Sequence, residues 1–508
     1  MRIKKTLANE SPIPECESGQ PDLVSNLELQ KKEEGGGGLR KGVALRDRVP
    51  IPEKLAYASG QFANMLMSTI NINLTLPVFV VTLGVSPALI GFLEMVYRVW
   101  DAITDMIMGW VSDNTRTRWG RRRPYIFAGA FICALWMPVI WLLDRTWSMT
   151  TIVLWMIIGQ LVMFACTTIW NIPYQCLLLE ISPSSVERTN VAAIRGYFSK
   201  FAGLVIGWLW FLAQLPVFRG PNGEVDIIKG AFGVTCVAAI LVILLGLLPA
   251  IFCKERYYKT AAIQEKVPLL KNIKLTFKNR PFLFLSSLTL LFTLGTLSVE
   301  KLAFFVRLYY VCGGDQELAA KLTGIIATVV TIVGIAAIPL FQWIARRFGK
   351  RAALVIVMCL FFCSSLSTLI TYRPGMPYLT LINGALTAIA MTAIWVLLPS
   401  MTGDVVDHDE LETGERREGA FAAIFSWMFK FAYSVALALS GLLVAWAGYD
   451  TKLESGQVEG VLFTIRMLLA IVPAVFIGTA IIITLRYPLT TQRIGEIRTL
   501  LEARRGRI

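Results

Sequence analysis

The 508-residue sequence predicts an all-α polytopic membrane protein: twelve transmembrane helices in two pseudo-symmetric six-helix bundles. Three observations predict this. The chain is 55% hydrophobic and 17% charged, against about 25% charged in a soluble domain. Its apolar residues fall into twelve runs of roughly 20–30 residues, each long enough to cross a bilayer. Its basic residues cluster in alternate loops, which is the pattern that sets membrane orientation.

In chain order, residues 1–53 read as a disordered cytoplasmic tail, with Gly35–Gly38 and scattered charges. They contain no apolar run that would make a signal peptide. The expected spans are 55–83, 88–112, 124–143, 150–179, 191–217 and 229–253. A basic cytoplasmic linker, 254–280, follows. The second set is 281–312, 321–345, 352–371, 377–403, 419–447 and 461–486. The halves are therefore 54–253 and 281–486, and 487–508 is a basic tail. That tail reads either as a short amphipathic helix on the inner leaflet or as a solvated end.

Loop 2–3 carries Arg116, Arg118 and Arg121 to Arg123, and loop 8–9 carries Arg346, Arg347, Lys350 and Arg351. The alternate loops hold few basic residues. An even span count then places both termini in the cytoplasm of a cell in whose inner or plasma membrane the chain sits. The +14 net charge is explained by these loops, with anionic lipid as the contact and no nucleic acid partner. Residues 117–122 (Thr-Arg-Trp-Gly-Arg-Arg) recur as 346–351 (Arg-Arg-Phe-Gly-Lys-Arg), each after the second span of its half. A duplicated transporter shows such a repeat. The nine cysteines lie mostly in or beside apolar spans and read as packing residues. With a single histidine, His408, in a charged stretch, a His/Cys metal site has no basis.

The chemistry concentrates in span 2. Glu94, Arg98, Asp101 and Asp105 are spaced four, three and four apart, so a helix puts them on one face. A charge at the centre of a transmembrane helix costs about 2.5–3.5 kcal/mol on insertion scales, so these groups must face a watery cavity or one another. Asp101 and Asp105, with Thr104 between them and Thr168 from span 4, make an oxygen-rich site for a coupling ion. Na+ and H+ both fit, and no other cofactor is expected. In span 4, Asn171 and Gln175 are one turn apart and flanked by Trp170 and Tyr174. They read either as a polyol site, with edge hydrogen bonds and face stacking, or as amide glue between helices. Arg195 and Lys200 begin span 5. Lys430 lies too deep in span 11 to snorkel and needs a carboxylate; the span-2 aspartates are the expected partners. Trp395 and Tyr433 are candidate cavity aromatics. The acidic and basic loop after span 10, with Asp404, Asp407 and Arg416, reads either as a cytoplasmic gate or as a solvated loop. As a gate it would pair with Arg98, Asp113, Arg188 or Arg121 to Arg123.

Arg98 to Gly109, followed by Arg116 to Pro124, is similar to the glycoside–pentoside–hexuronide:cation symporters of the major facilitator superfamily. Asp404 to Asp407 and Glu415 to Gly419 carry the same resemblance, which spans most of residues 54–490. It implies the major facilitator fold and cation-coupled sugar symport by a single chain, not an enzyme. It implies cation binding by Asp101 and Asp105 with Thr104 and Thr168, and sugar contact by Arg195, Trp395 and Lys430. The sugar site departs from the family pattern. Met65 and Asn171 stand where melibiose-type members have acids, and Gln175 stands for a tryptophan. Residues 425–432 and 447–449 also resemble sodium-dependent lysophospholipid transporters of the same branch, so a lysolipid is the alternative substrate. An intramembrane aspartyl protease is disfavoured, because its two carboxylates must face each other from different helices. A non-transporting sensor is the remaining class.

Overall fold

The computed structural model describes residues 49–181, 185–219, 225–255, 279–414, 418–450 and 459–505, all within the unit that begins at Asp47. The N-terminal tail up to residue 48 and linker residues 256–278 lie outside the described residues, as does Arg416. So do the side chains of Asp113 and Arg188.

The chain forms helices throughout. They are α1 (Ile51–Thr75), α2 (Pro87–Asn114), α3 (Arg123–Val139), α4 (Met149–Ile181), α5 (Ser185–Leu212) and α6 (Ile227–Gly246). The second set comprises α7a (Arg280–Leu297), α7b (Glu300–Phe305), α8 (Gln316–Phe348), α9 (Lys350–Thr371), α10 (Thr380–Thr413), α11 (Glu418–Trp446) and α12 (Glu459–Leu485). A last helix, α13 (Thr491–Arg505), ends the described chain. Among the described residues nine helices are apolar and long enough to span a membrane, and α3 is an apolar helix of shorter length. The other two of the expected twelve are α2 and α5, whose charged residues lower their hydropathy.

The helix pairings repeat with a shift of six. In the first half α1 packs on α5 and α6, α3 on α4 and α6, and α2 on α4. In the second half α7a packs on α11 and α12, α9 on α10 and α12, and α8 on α10. The halves meet along two pairs related by the same shift, α2 with α11 and α5 with α8. The loop repeat is structural too. Gly120 and Gly349 occupy its matching position, and both have a left-handed backbone, φ +105° and +85°. Only glycine adopts that conformation without strain.

Small residues let the halves touch. A Cβ on Gly91 would lie 2.9 Å from the Gly441 Cα, and one on Gly207 would lie 2.1 Å from the Ala327 Cβ. Both contacts lie toward the helix ends remote from the basic loops. The apolar core follows the same division. One cluster runs continuously from the first half into residues 299–322 and 444–469 at the remote end. The second half has a separate core toward the basic loops, built from residues such as Phe282, Leu397, Val405 and Phe421.

Three expectations are corrected. The stretch expected as a loop after span 10 is helical through Thr413, ending at Gly414 with φ +79°. Val405 and Val406 pack into the second core there, which holds the helix together despite its acids. Helix α8 begins at Gln316, five residues early, because the Asp315 side chain accepts from the Leu318 N–H at 3.0 Å and caps it. The C-terminal helix lies on α10, with Ile497 and Leu501 buried in the second core. The tail is therefore not a wholly solvated end: Ile497 and Leu501 are covered by protein, while Leu500 stays exposed.

Candidate functional site

Helix α2 places Asp101 fourteen residues from its first residue, about 21 Å along the axis and so near mid-membrane. The carboxylates face α4 and α11. From α4, the Thr168 hydroxyl lies 3.2 Å from Asp105 Oδ1 and 3.5 Å from Asp101 Oδ1. The Thr104 and Thr168 hydroxyls are 3.1 Å apart. From α11, Lys430 forms an ion pair with Asp105, and its Nζ is 3.6 Å from Asp101 Oδ2. All four residues expected at the cation site therefore converge, with Lys430 as their partner. Two carboxylates and two hydroxyls form a set of hard oxygen donors suited to an alkali cation. The same carboxylates can carry a proton instead.

Arg98 belongs to this cluster and not to a gate at the basic face. Its Nη1 is 4.0 Å from Asp101 Oδ2, and its guanidinium stands over the rings of Tyr433 (4.5 Å) and Phe164 (5.3 Å). It lies sixteen residues before the end of α2, about 24 Å from the basic loops.

The expected sugar set is dispersed. Trp170 and Tyr174 are fully buried. The Trp170 indole donates to the Gly246 carbonyl at 3.1 Å, and the Tyr174 hydroxyl donates to the Tyr57 carbonyl at 2.8 Å. These rings lock α4 to α6 and α1, so they offer no face to a sugar. The Gln175 amide donates to Asn171 Oδ1 at 2.9 Å on an exposed part of α4. Arg195 stands over the Tyr174 ring, and Trp395 is exposed with its ring edge-on to Phe429. At the basic face Asp404 pairs with Lys350 at 2.7 Å, an ion pair within the second half, and Asp407 is half-buried near the end of α10.

The structure adds a second charged region that the sequence reading left out. A cavity of about 380 Å³ lies between the halves on the side remote from the basic loops. It is lined by Glu94, Glu300, Lys301 and Arg307, with Asn73 and Trp210 among others. Buried Lys301 forms an ion pair with buried Glu94, joining α7b to α2 across the halves. The pattern of charges in an apolar span, read for span 2, would have found Glu300, Lys301 and Arg307 in span 7. Asn171, Gln175, Arg195, Trp395 and Lys430 do not line this cavity.

Two matched helical halves, with charges buried where they meet, fit a secondary transporter of the major facilitator type. Residues 56–491 match the family described as MFS/sugar transport protein. The chain belongs to that family, the glycoside–pentoside–hexuronide:cation symporters. It is 24% identical to the isoprimeverose transporter of Lactiplantibacillus pentosus, over 87% of this chain and 89% of that protein. It is 25% identical to the glucuronide carrier protein homolog of Escherichia coli K12, over 87% and 93%. It is 24% identical to the sodium-dependent lysophosphatidylcholine symporter 1 of Mus musculus, over 96% and 95%. Among solved structures, a bacterial homolog of the human lysosomal transporter Spinster superposes with a TM-score of 0.59. That match has 13% identity and covers 87% of this chain and 98% of that one, and it supports the fold alone.

Proposed function

We propose that this chain imports a sugar or glycoside across the cell membrane by alternating access, driven by a cation bound at Asp101 and Asp105. One observation carries the reading: Lys430 of α11 bridges both aspartates of α2 where the two halves meet. The Lys430 ammonium stands where a cation would bind, and it ties the halves together there. A cation entering among the carboxylates, Thr104 and Thr168 competes with it. Displacing Lys430 loosens the α2–α11 seam and frees an ammonium to contact substrate, which couples cation binding to the rearrangement. Asn171, Gln175, Arg195 and Trp395 are then secondary contacts, met by substrate outside the remote cavity.

Tight packing at the remote ends, beside a separate second core toward the basic loops, supports a conformation open on the basic side. With both termini cytoplasmic, that side is the cytoplasm. Asp404 and Asp407, with Asp113, Arg188 and Arg416, would close it in the opposite state. One chain supplies both halves of the site, so a monomer suffices. Its paired carboxylates share one helix, so they do not make the facing pair of an intramembrane aspartyl protease. A lysolipid is the second reading, favoured by the missing sugar acids at Met65 and Asn171 and by the lysophosphatidylcholine relative.

Purified chain in proteoliposomes, given an inward Na+ or H+ gradient, should accumulate a labelled glycoside. Asp105→Asn should abolish gradient-driven accumulation while inserting normally. Unchanged accumulation by that variant would sink the coupling mechanism.

A further inference from the structure

We propose that the second half binds one anionic phospholipid in a groove at the basic-loop end of α9, between α9 and the chain leaving α12. Helices α9 and α12 lie outside the two pairs that join the halves, so this site is separate from Asp101 and Asp105.

The groove has a volume of about 490 Å³, and Phe348, Arg351, Val355, Ile356, Leu485 and Thr490 line it. Its character changes with depth. Arg351 stands in the first turn of α9, and Ile356 lies about 7.5 Å further along the axis. The lining at that depth is aliphatic, and Ile356, Leu485 and Phe348 are exposed. A cation at the rim with hydrocarbon-facing side chains below it matches a phospholipid, whose phosphate sits above its acyl chains.

The rim calls for an anion. Arg346, Arg347, Arg351 and Arg486 stand at it or next to it in the chain, and among the described residues none of them pairs with a carboxylate. Lys350, between them, is already taken by Asp404. Arg351 donates to the Leu485 carbonyl and has further N–H groups to offer. The Thr490 hydroxyl accepts from the Arg493 N–H at 3.3 Å and keeps its own hydrogen for a phosphate oxygen. A choline headgroup would bring another positive charge to this rim, whereas a net negative headgroup neutralises it.

The duplicated loop provides an internal precedent. In the first half, the backbone N–H groups of Arg121, Arg122 and Arg123 at the start of α3 donate to the Glu255 carboxylate at 2.9, 3.0 and 3.1 Å. Glu255 comes from the chain leaving α6. The matching turn in the second half follows Gly349 and opens α9, and no side chain caps it. The chain leaving α12 reads Arg486-Tyr-Pro-Leu-Thr490 and contains no acid. The first copy supplies its own anion at this turn, and the second leaves the place to an anion from outside. A phosphodiester presents two free oxygens, as a carboxylate does, and a helix N-terminus favours either.

The test uses the full chain, delipidated in detergent, and native mass spectrometry with phosphatidylglycerol, phosphatidylcholine and glycerol 3-phosphate as probes. Wild type should retain one phosphatidylglycerol at concentrations where phosphatidylcholine is lost. R351Q should weaken phosphatidylglycerol binding roughly 5–10-fold, about the effect of one basic residue at an anionic surface. R346Q/R347Q changes two exposed positions and leaves the Leu485 contact in place. It should weaken binding by at least as much while melting like wild type in phosphatidylcholine. R116Q/R118Q removes the same charge from the first-half loop, where Glu255 fills the turn, and should leave phosphatidylglycerol binding unchanged. Equal binding of the two lipids by wild type overturns the proposal. So does an equal loss in R116Q/R118Q, which would make the attraction a general one. Displacement of the lipid by an equal concentration of glycerol 3-phosphate overturns a phospholipid as the occupant.

Discussion

Removing the Lys430 ammonium is the most informative single perturbation of this protein. In Lys430→Ala the two carboxylates of α2 lose the ammonium that bridges them while remaining one turn apart, and Arg98, 4.0 Å from Asp101, is the cation left beside them. At an effective dielectric of ~20, unit charges about 4 Å apart attract by ~4 kcal/mol. Desolvation of the three groups offsets much of that, and deleting one member of a buried pair typically costs ~3–5 kcal/mol. The Lys430 side chain is 35% exposed and the aspartates are 15–16% exposed, so solvent screening reduces the cost further. A net destabilisation of roughly 1–3 kcal/mol follows. The lost cation can be replaced from solution. In choline buffer the variant should therefore melt several degrees below wild type, and Na+ should restore it by mass action, by ~2.7 kcal/mol at a hundredfold excess over Kd. If H+ is the coupling ion, acidification restores it instead, because protonating one carboxylate also removes the repulsion. Apparent cation affinity should rise relative to wild type, since the competitor is gone, while gradient-driven uptake is lost. The assay is a thermal melt of purified variant across Na+ concentration and pH. A variant that melts like wild type and shows the wild-type response to both ions would refute the view that Lys430 occupies the cation's place.

Two further outcomes are expected. Thr168→Ala removes the hydroxyl 3.2 Å from Asp105 and 3.1 Å from Thr104. It should raise the half-saturating cation concentration roughly 2–10-fold with maximal uptake little changed, read from the cation dependence of initial rates. Gly91→Val forces side-chain atoms into the Gly441 backbone, whose Cα would lie 2.9 Å from the new Cβ. It should part α2 from α11 at the remote end, so that a cysteine at Asn73, on the cavity wall, is labelled faster by an impermeant maleimide while transport falls. Unchanged labelling would mean that the glycine contact does not close that end.

Much of the architecture was legible in one dimension because a bilayer imposes it. Hydrocarbon offers no partner for an unpaired backbone group, so a chain of apolar runs must be helical, and run length sets the number of crossings. The repeated Trp/Phe-Gly-basic-Arg loop marked the duplication, and the left-handed glycine in each copy gives the physical reason for the match. The spacing of Asp101, Thr104 and Asp105 sufficed to place them on one helical face, and the charge of Lys430 demanded a partner of opposite sign. These are local rules, and they survived folding.

What sequence could not decide is which charges on that face belong together. Glu94, Arg98, Asp101 and Asp105 form one stripe, yet Glu94 is about 10 Å along the helix from Asp101 and meets a different helix. It pairs with Lys301 of α7b, while the aspartates pair with Lys430 of α11. Likewise Trp170 and Tyr174, exposed in principle to a sugar, are consumed by packing on α1 and α6. The loop after span 10 is a helix because Val405 and Val406 found a core. The periodicity of one helix sets which face a residue occupies. Only the packing of the two halves sets what that face meets, and so divides one stripe of charge into a cluster closed by Lys430 and a wall of the cavity beside it.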